Sequence, residues 1–332
     1  MNDDVTETEA AEPEINDPEK PSNERFRIMV CIDGSEESYR GLKYAAKIGQ
    51  AQETDIVLCY VRPIDQGLNT DGMNMSIARG NMLEWGIELP GIKYLKQGRD
   101  LLLASGYMGD DWDEEAFHTD IAGSSTGDNK IEYTSASGKK IVLKLKVARD
   151  VASGILDQWE LGHYDLIIIG ASSNWASSNT FKNFFDPAIA EKIAIHAPCS
   201  VLVARELETG HGHLICTDGS EAANFAVKKD AYIASHCQCP ITLMSVALDV
   251  ESEEAARKTV ADAKAMLNDM GVEVKETFIR TGDPVTEIIE SGPDYSLIVM
   301  ADSGKTGLER FFVGSVALKV IQNAYNSVMI VR

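Results

Sequence analysis

The chain has 332 residues, of which 52 are Asp or Glu and 31 are Lys or Arg, giving a formal net charge of −21 at pH 7. That charge repels a phosphate backbone, whose binding depends on Lys and Arg releasing counterions, so nucleic acid makes a poor partner. With 44% hydrophobic residues the chain can fill about two buried cores, yet its longest apolar runs, such as 166–169, fall far short of the roughly 20 residues of a membrane helix.

Residues 1–24 are dense in Asp and Glu, contain Pro13, Pro18 and Pro21, and hold almost no large apolar side chain, which predicts a disordered acidic tail. They lack the basic and apolar regions of a secretory leader, so a cytoplasmic location is expected. A first strand at 28–32 runs into Asp33-Gly34-Ser35-Glu36 and a helix at 37–50, and a second strand covers 56–61. An insertion at about 66–138 follows. Around it, 90–104 reads as a helix, 110–115 as an acidic loop and 131–146 as a hairpin turning at Gly138. Strands at 164–169 and 200–205 close a first domain, expected at 25–206, and 207–212 read as a linker. A second domain at 213–332 has strands near 213–217, 241–246, 295–300 and 327–332, with helices at 252–270, 284–291 and 316–324. Six cysteines include no C-x-x-C pair, and Cys31, Cys59 and Cys216 fall in strand-like runs, so neither a metal site nor a disulfide framework is expected. His211 and His213, without a third ligand, read as part of the linker.

An internal repeat sets the architecture. Cys31-x-Asp33-Gly34-Ser35-Glu36 returns as Cys216-x-Asp218-Gly219-Ser220-Glu221, and the same offset superposes 56–61 on 241–246. The strands at 164–169 and 200–205 match 295–300 and 327–332 in turn. Short apolar strands alternating with helices predict an α/β fold of two doubly wound, mostly parallel, five-stranded sheets in tandem. Ligands of such sheets sit at the carboxyl ends of the strands.

One such strand end carries distinctive chemistry. The segment from Ala301 to Ser315 contains Gly304, Lys305, Gly307, Arg310 and Gly314 and leads into a helix beginning near Val316. A phosphate needs several backbone N–H donors at close range, which glycine permits, and a helix N-terminus adds unpaired N–H groups and a positive dipole end. Gly304-Lys305-Thr306 is not a P-loop: the position five before Gly304 is Val299, inside a strand, and the helix does not follow at once.

With Asp218-Gly219-Ser220 after the first strand and Ala301-x2-Gly304-x9-Gly314-Ser315 before the last helix, both halves resemble the universal stress protein family. The pattern departs only in Ala301, where the family has glycine. The resemblance implies the adenine nucleotide alpha-hydrolase-like form of this fold and ATP, with or without Mg²⁺, as cofactor. It places Asp218 and Gly219 at the ribose or adenine end, Val246 at the adenine edge, and Ala301, Gly304, Lys305, Gly314, Ser315 and Val316 along the triphosphate. The methyl of Ala301 should weaken binding without abolishing it. In the first copy Pro187-Ala188 stand opposite Gly314-Ser315 and Ser173 opposite Gly304, so that copy resembles the branch of the family that does not bind nucleotide.

The expected function is a stress-response regulator that binds ATP or another adenine nucleotide in its second domain and signals through protein contacts. A slow ATPase or phosphotransferase, with Asp218 or Asp302 holding Mg²⁺, is one alternative. A nucleotide-independent scaffold working through the first domain, its insertion and the tail is another. The two apolar edge strands, 200–205 and 327–332, are expected to pair within the chain, with further homodimerisation left open and the protein partner unidentified.

Overall fold

The computed structural model describes residues 25–50, 54–64, 90–122, 124, 127–171, 187–205, 211–302 and 314–332. The acidic tail at 1–24, most of the predicted linker, and Gly304 and Lys305 lie outside the described residues. The first half contains β1 (Phe26–Cys31), α1 (Glu36–Gln50), β2 (Thr54–Pro63), α2 (Pro90–Ala104), β3 (Asp113–Thr119), β4 (Asp128–Thr134), β5 (Lys140–Ala148), α3 (Val151–Leu156), β6 (Leu166–Gly170), α4 (Pro187–His196) and β7 (Ser200–Ala204). The second contains β8 (His213–Cys216), α5 (Glu221–Cys237), β9 (Ile241–Ala247), α6 (Glu253–Asp269), β10 (Val274–Thr281), α7 (Pro284–Ser291), β11 (Leu297–Ala301), α8 (Ser315–Asn323) and β12 (Ser327–Val331). Among the described residues no helix is long and apolar enough to cross a membrane.

The twelve strands among the described residues form one sheet in the order β10-β9-β8-β11-β12-β7-β6-β1-β2-β5-β4-β3. Within each half five strands are parallel and follow the same winding, β10-β9-β8-β11-β12 and β5-β2-β1-β6-β7. Strand residues alternate between the two faces, as a period of two requires. Ile28 and Val30 enter one core with α1, α2, α5 and α6, while Met29 and Cys31 enter a second core with α3, α4, α7 and α8. Each core runs continuously through both halves.

The halves meet where β12 pairs antiparallel with β7, Val328 opposite Val203, Met329 opposite Leu202 and Ile330 opposite Val201. Every residue of both strands is buried. Each such aliphatic side chain would lose roughly 1.5–3 kcal/mol if returned to water. The junction is also clamped by two arginines in approximate two-fold relation. Arg205 donates from Nη1 to Asn326 O at 3.0 Å and from Nη2 to Ile321 O, at the end of α8. Arg332 donates from Nη1 to Ala197 O at 2.9 Å and from Nη2 to Ala194 O, at the end of α4. Each guanidinium therefore caps the last helix of the opposite half, where orphan carbonyls and the negative dipole end favour a cation. Burial pushes the Arg205 guanidinium down to about 10.

Two readings of the first half need correction. The acidic run at 110–115 is not all loop, since Asp113, Glu114 and Glu115 begin β3, an exposed edge strand whose charges discourage pairing with another chain. The hairpin turns at Gly138, at φ +81°, but its second strand, β5, is also the outer parallel strand of the core sheet, paired along β2. Helix α2 packs against β2 and β5 as α6 packs against β9 and β10. It is thus the ordinary crossover of a β-α-β unit, and β3 and β4 are the strands the second half lacks.

Candidate functional site in the second half

At the carboxyl ends of β8, β9 and β11 lies a cavity of about 320 Å³. Six of the sequence-predicted residues line it: Asp218, Val246, Ala301, Gly314, Ser315 and Val316. Gly219 is adjacent rather than lining. It adopts φ +78°, where a Cβ would stand 3.2 Å from Thr259 Oγ1, so its role is to make the turn that leads from β8 into α5. The exposed Asp218 accepts from Ser220 N at 2.9 Å, and Ser220 in turn caps α5 by accepting from Ala223 N at 3.1 Å.

The opposite wall is the start of α8. Gly314 is its N-cap, and having no side chain it makes no capping hydrogen bond. Elsewhere Asp150, Ser220 and Asp283 close the first turns of α3, α5 and α7 with their side-chain oxygens. The first turn of α8 therefore lines the cavity with no side-chain cap among the described residues, an arrangement that suits an anion.

The remaining lining was not singled out from the sequence. Met244, Met300 and Ile288 supply an apolar wall, and Thr217 a buried hydroxyl that accepts from Gly219 N at 3.2 Å. Glycine and charge stand out in a sequence, whereas apolar residues at strand ends look like ordinary core. The repeat did hold one signal, because Thr217 stands where the first copy has Ile32, a polar replacement just after the apolar run Leu214-Ile215-Cys216. Burial pushes the Cys216 thiol up to about 12, so it is a lining group and not a nucleophile. Asp302, considered above for a metal, is instead engaged with Arg332, Nε to Oδ2 at 2.7 Å.

The equivalent strand ends in the first half are packed differently. Gly34 repeats the turn at φ +90°, but a Cβ there would lie 2.5 Å from the Tyr94 ring, which α2 brings over it. Tyr94 is held by its carbonyl, which accepts from Tyr39 Oη at 3.1 Å. The counterpart of Ala301 is Gly170, where a Cβ would stand 2.8 Å from Ser38 N, so the start of α1 rests directly on the end of β6. Burial raises the Asp33 carboxyl above the usual range, against the lowering effect of its hydrogen bonds from Ser35. Ser173 lies outside the described residues. Pro187 opens α4, with Ala188 exposed behind it.

Comparison with known proteins identifies the family. A universal stress protein of Methanocaldococcus jannaschii is 35% identical over 117 residues, which cover 35% of this chain and 66% of that protein. This chain therefore spans just under two thirds of that relative's length. A crystal structure of a putative universal stress protein from Pseudomonas aeruginosa aligns over 92% of both chains at 14% identity, with a TM-score of 0.56. A universal stress protein from Archaeoglobus fulgidus, solved in complex with dAMP, aligns over 36% of this chain and 97% of its own at 22% identity, with a TM-score of 0.31. The sequence model of the universal stress protein family matches residues 24–89 and 213–332, more than half of the chain, and the chain belongs to that family.

Proposed function

We propose that this protein is a stress-response regulator that binds an adenine nucleotide, ATP foremost, in the cavity of its second half and transmits the bound state through protein contacts. One observation carries the reading: an apolar wall and a helix start without a side-chain cap converge on one cavity. Its volume, about 320 Å³, is at the lower end of small-molecule sites. Met244, Val246 and Met300 suit a base, the Asp218 carboxylate suits ribose hydroxyls, and the N–H groups from Ser315 onward suit phosphate. Gly304 and Lys305 would extend that cradle, and the Asp218 carboxylate would be a candidate ligand for Mg²⁺.

The two halves would work as a pseudo-dimer within one cytoplasmic chain, with the first half contributing surface and not a second nucleotide. Mass analysis of ligand released on denaturation, followed by calorimetric titration with ATP, tests this. One adenine nucleotide per chain is expected, and two equivalent sites would overturn the assignment to the second half. Turnover with Mg²⁺ would make the protein an enzyme, and absence of any nucleotide binding would leave a scaffold.

A further inference from the structure

His213 was read as linker, but it opens β8 and is fully buried. Its Nδ1 lies 3.0 and 2.9 Å from the two carboxylate oxygens of Asp230 on α5, which is equally buried. In the neutral ring that pairing places the proton on Nδ1 and leaves the Nε2 lone pair free to accept a hydrogen bond or to bind a metal. Nε2 faces the Tyr44 hydroxyl of α1 at 2.8 Å and Cys237 Sγ at 3.9 Å. Cys239 follows the end of α5 and is partly exposed, and in this structure it is disulfide-bonded to Cys237. The ring nitrogen and both sulfurs lie within 4.8 Å of one another.

We propose that, once this disulfide is reduced, His213 Nε2, Cys237 Sγ and Cys239 Sγ form a site for a thiophilic divalent cation of the Zn²⁺ class. It lies where α1 of the first half meets α5 of the second, with the Tyr44 hydroxyl beside the fourth position. The ligand chemistry fits. With bonds of about 2.0–2.3 Å, donor atoms of a tetrahedral site stand roughly 3.5–3.8 Å apart, close to the 3.9 Å already present between Nε2 and Cys237 Sγ. A carboxylate on the far nitrogen of a ligating imidazole fixes the tautomer and raises its basicity, and Asp230 occupies that place. Partly exposed Cys239 gives access to reductant and ion, whereas Cys237 and His213 are sealed. A bridge across one intervening residue closes too short a loop to constrain the unfolded chain much, so loop closure does not account for the pair.

Opening the site needs a dithiol. Its two thiols become a disulfide while Cys237 and Cys239 each gain a hydrogen, and metal binding then releases both protons as the thiols become thiolates. Since Tyr44 belongs to the first half, an ion here sits at the junction between halves and apart from the cavity at the strand ends.

The test is a Co²⁺ titration of the full chain, reduced and kept under anaerobic conditions. Expected are thiolate-to-cobalt charge-transfer bands and strong tetrahedral d–d bands that saturate at one ion per chain and are bleached by Zn²⁺. Protein left oxidised and the Cys239→Ser variant should lack that two-thiolate spectrum. Asp230→Asn should weaken Co²⁺ binding about 10- to 100-fold. Absence of thiolate bands in the reduced protein would overturn the proposal, as would unchanged binding in Cys239→Ser or equal affinity in Asp230→Asn. Circular dichroism confirms that each variant is folded, and Cys239, being partly exposed, is the substitution least able to disturb the core.

Discussion

Replacing Arg332 with Met isolates what the guanidinium contributes at the junction, because the stem remains and the charge is lost. The ion pair with Asp302 is nearly closed to solvent, each side chain being 9% exposed. Asp302 Oδ1 has no hydrogen-bond partner among the described residues. Met at 332 would thus strand a buried carboxylate, and breaking such a pair from one side costs about 3–5 kcal/mol. The carbonyls of Ala194 and Ala197 at the end of α4 also lose their donor. Adding Asp302→Asn removes the stranded charge, and a pair replaced from both sides is far milder. The double variant should recover about 2–3 kcal/mol, a coupling energy typical of contacting residues. Urea unfolding followed by circular dichroism reads the shift of midpoint at constant slope. At about 2–4 °C per kcal/mol, the thermal midpoint of the single variant should fall by about 6–20 °C. A single substitution costing under about 1 kcal/mol, or a double variant no more stable than Arg332→Met, would refute the reasoning.

Gly314→Val should weaken ATP binding by about tenfold or more, roughly 1.4 kcal/mol, and lower the thermal midpoint by only a few degrees, the cost of a poorer N-cap. Gly314 sits at φ −57° and ψ 147°, a conformation open to any residue, so the backbone is not strained and the larger effect is to block the approach of a ligand. Calorimetry should find no change for substitutions at Pro187, and the reverse ranking would show that the other half binds. A fragment of residues 211–332 should dimerise or aggregate, because the buried strand β12 loses its partner β7; a soluble monomer in sedimentation would refute this. Asp33→Asn should raise the thermal midpoint at pH 7. Burial raises the folded pKa of Asp33 above its unfolded value, so the wild type pays a cost that is full above the folded pKa and vanishes as pH falls below the unfolded one near 3.8. The advantage of the variant should therefore fade on acidification, and an advantage independent of pH would exclude this cause.

The fold was legible because the repeat is carried by the least ambiguous elements. Cys-x-Asp-Gly-Ser-Glu marks a strand, a left-handed glycine turn and a helix start together, and Gly34 and Gly219 both show that turn, at φ +90° and +78°. What stayed hidden depended on distant contacts. Strand β5 read only as half of a hairpin, because its pairing with β2 joins Ile56 to Ile141 across a segment whose composition announces nothing. The environment of His213 was equally invisible, since Tyr44 and Asp230 reach it from two helices in different halves. A histidine beside glycine looks like linker until the helices are packed. Cys237 and Cys239 do not form a C-x-x-C pair, because their spacing is one residue shorter.

The contrast between Gly170 and Ala301 shows how one repeated unit keeps a cavity in one place and packs the equivalent place tightly. At Gly170 the backbone of α1 comes so near that a Cβ would overlap Ser38 N at 2.8 Å, a separation that packed atoms do not tolerate. At Ala301 that Cβ is present and lines the cavity, as does Ala223 on α5. Helix α5 therefore cannot settle on β11 as α1 settles on β6. From the sequence the methyl counted only as an intrusion upon a ligand. In the fold it is also a spacer that keeps the helix off the strand end. Replacing Ala301 with glycine would thus exert two opposed effects, easing the approach of a ligand while letting α5 close the space. Which prevails depends on how firmly α5 is held elsewhere, and its buried Lys229 and Asp230, bonded to Arg332 O and to His213, hold it to β12 and to β8. With the helix fixed at those two points, its first turn has little freedom to advance, and relief of the intrusion is the larger effect.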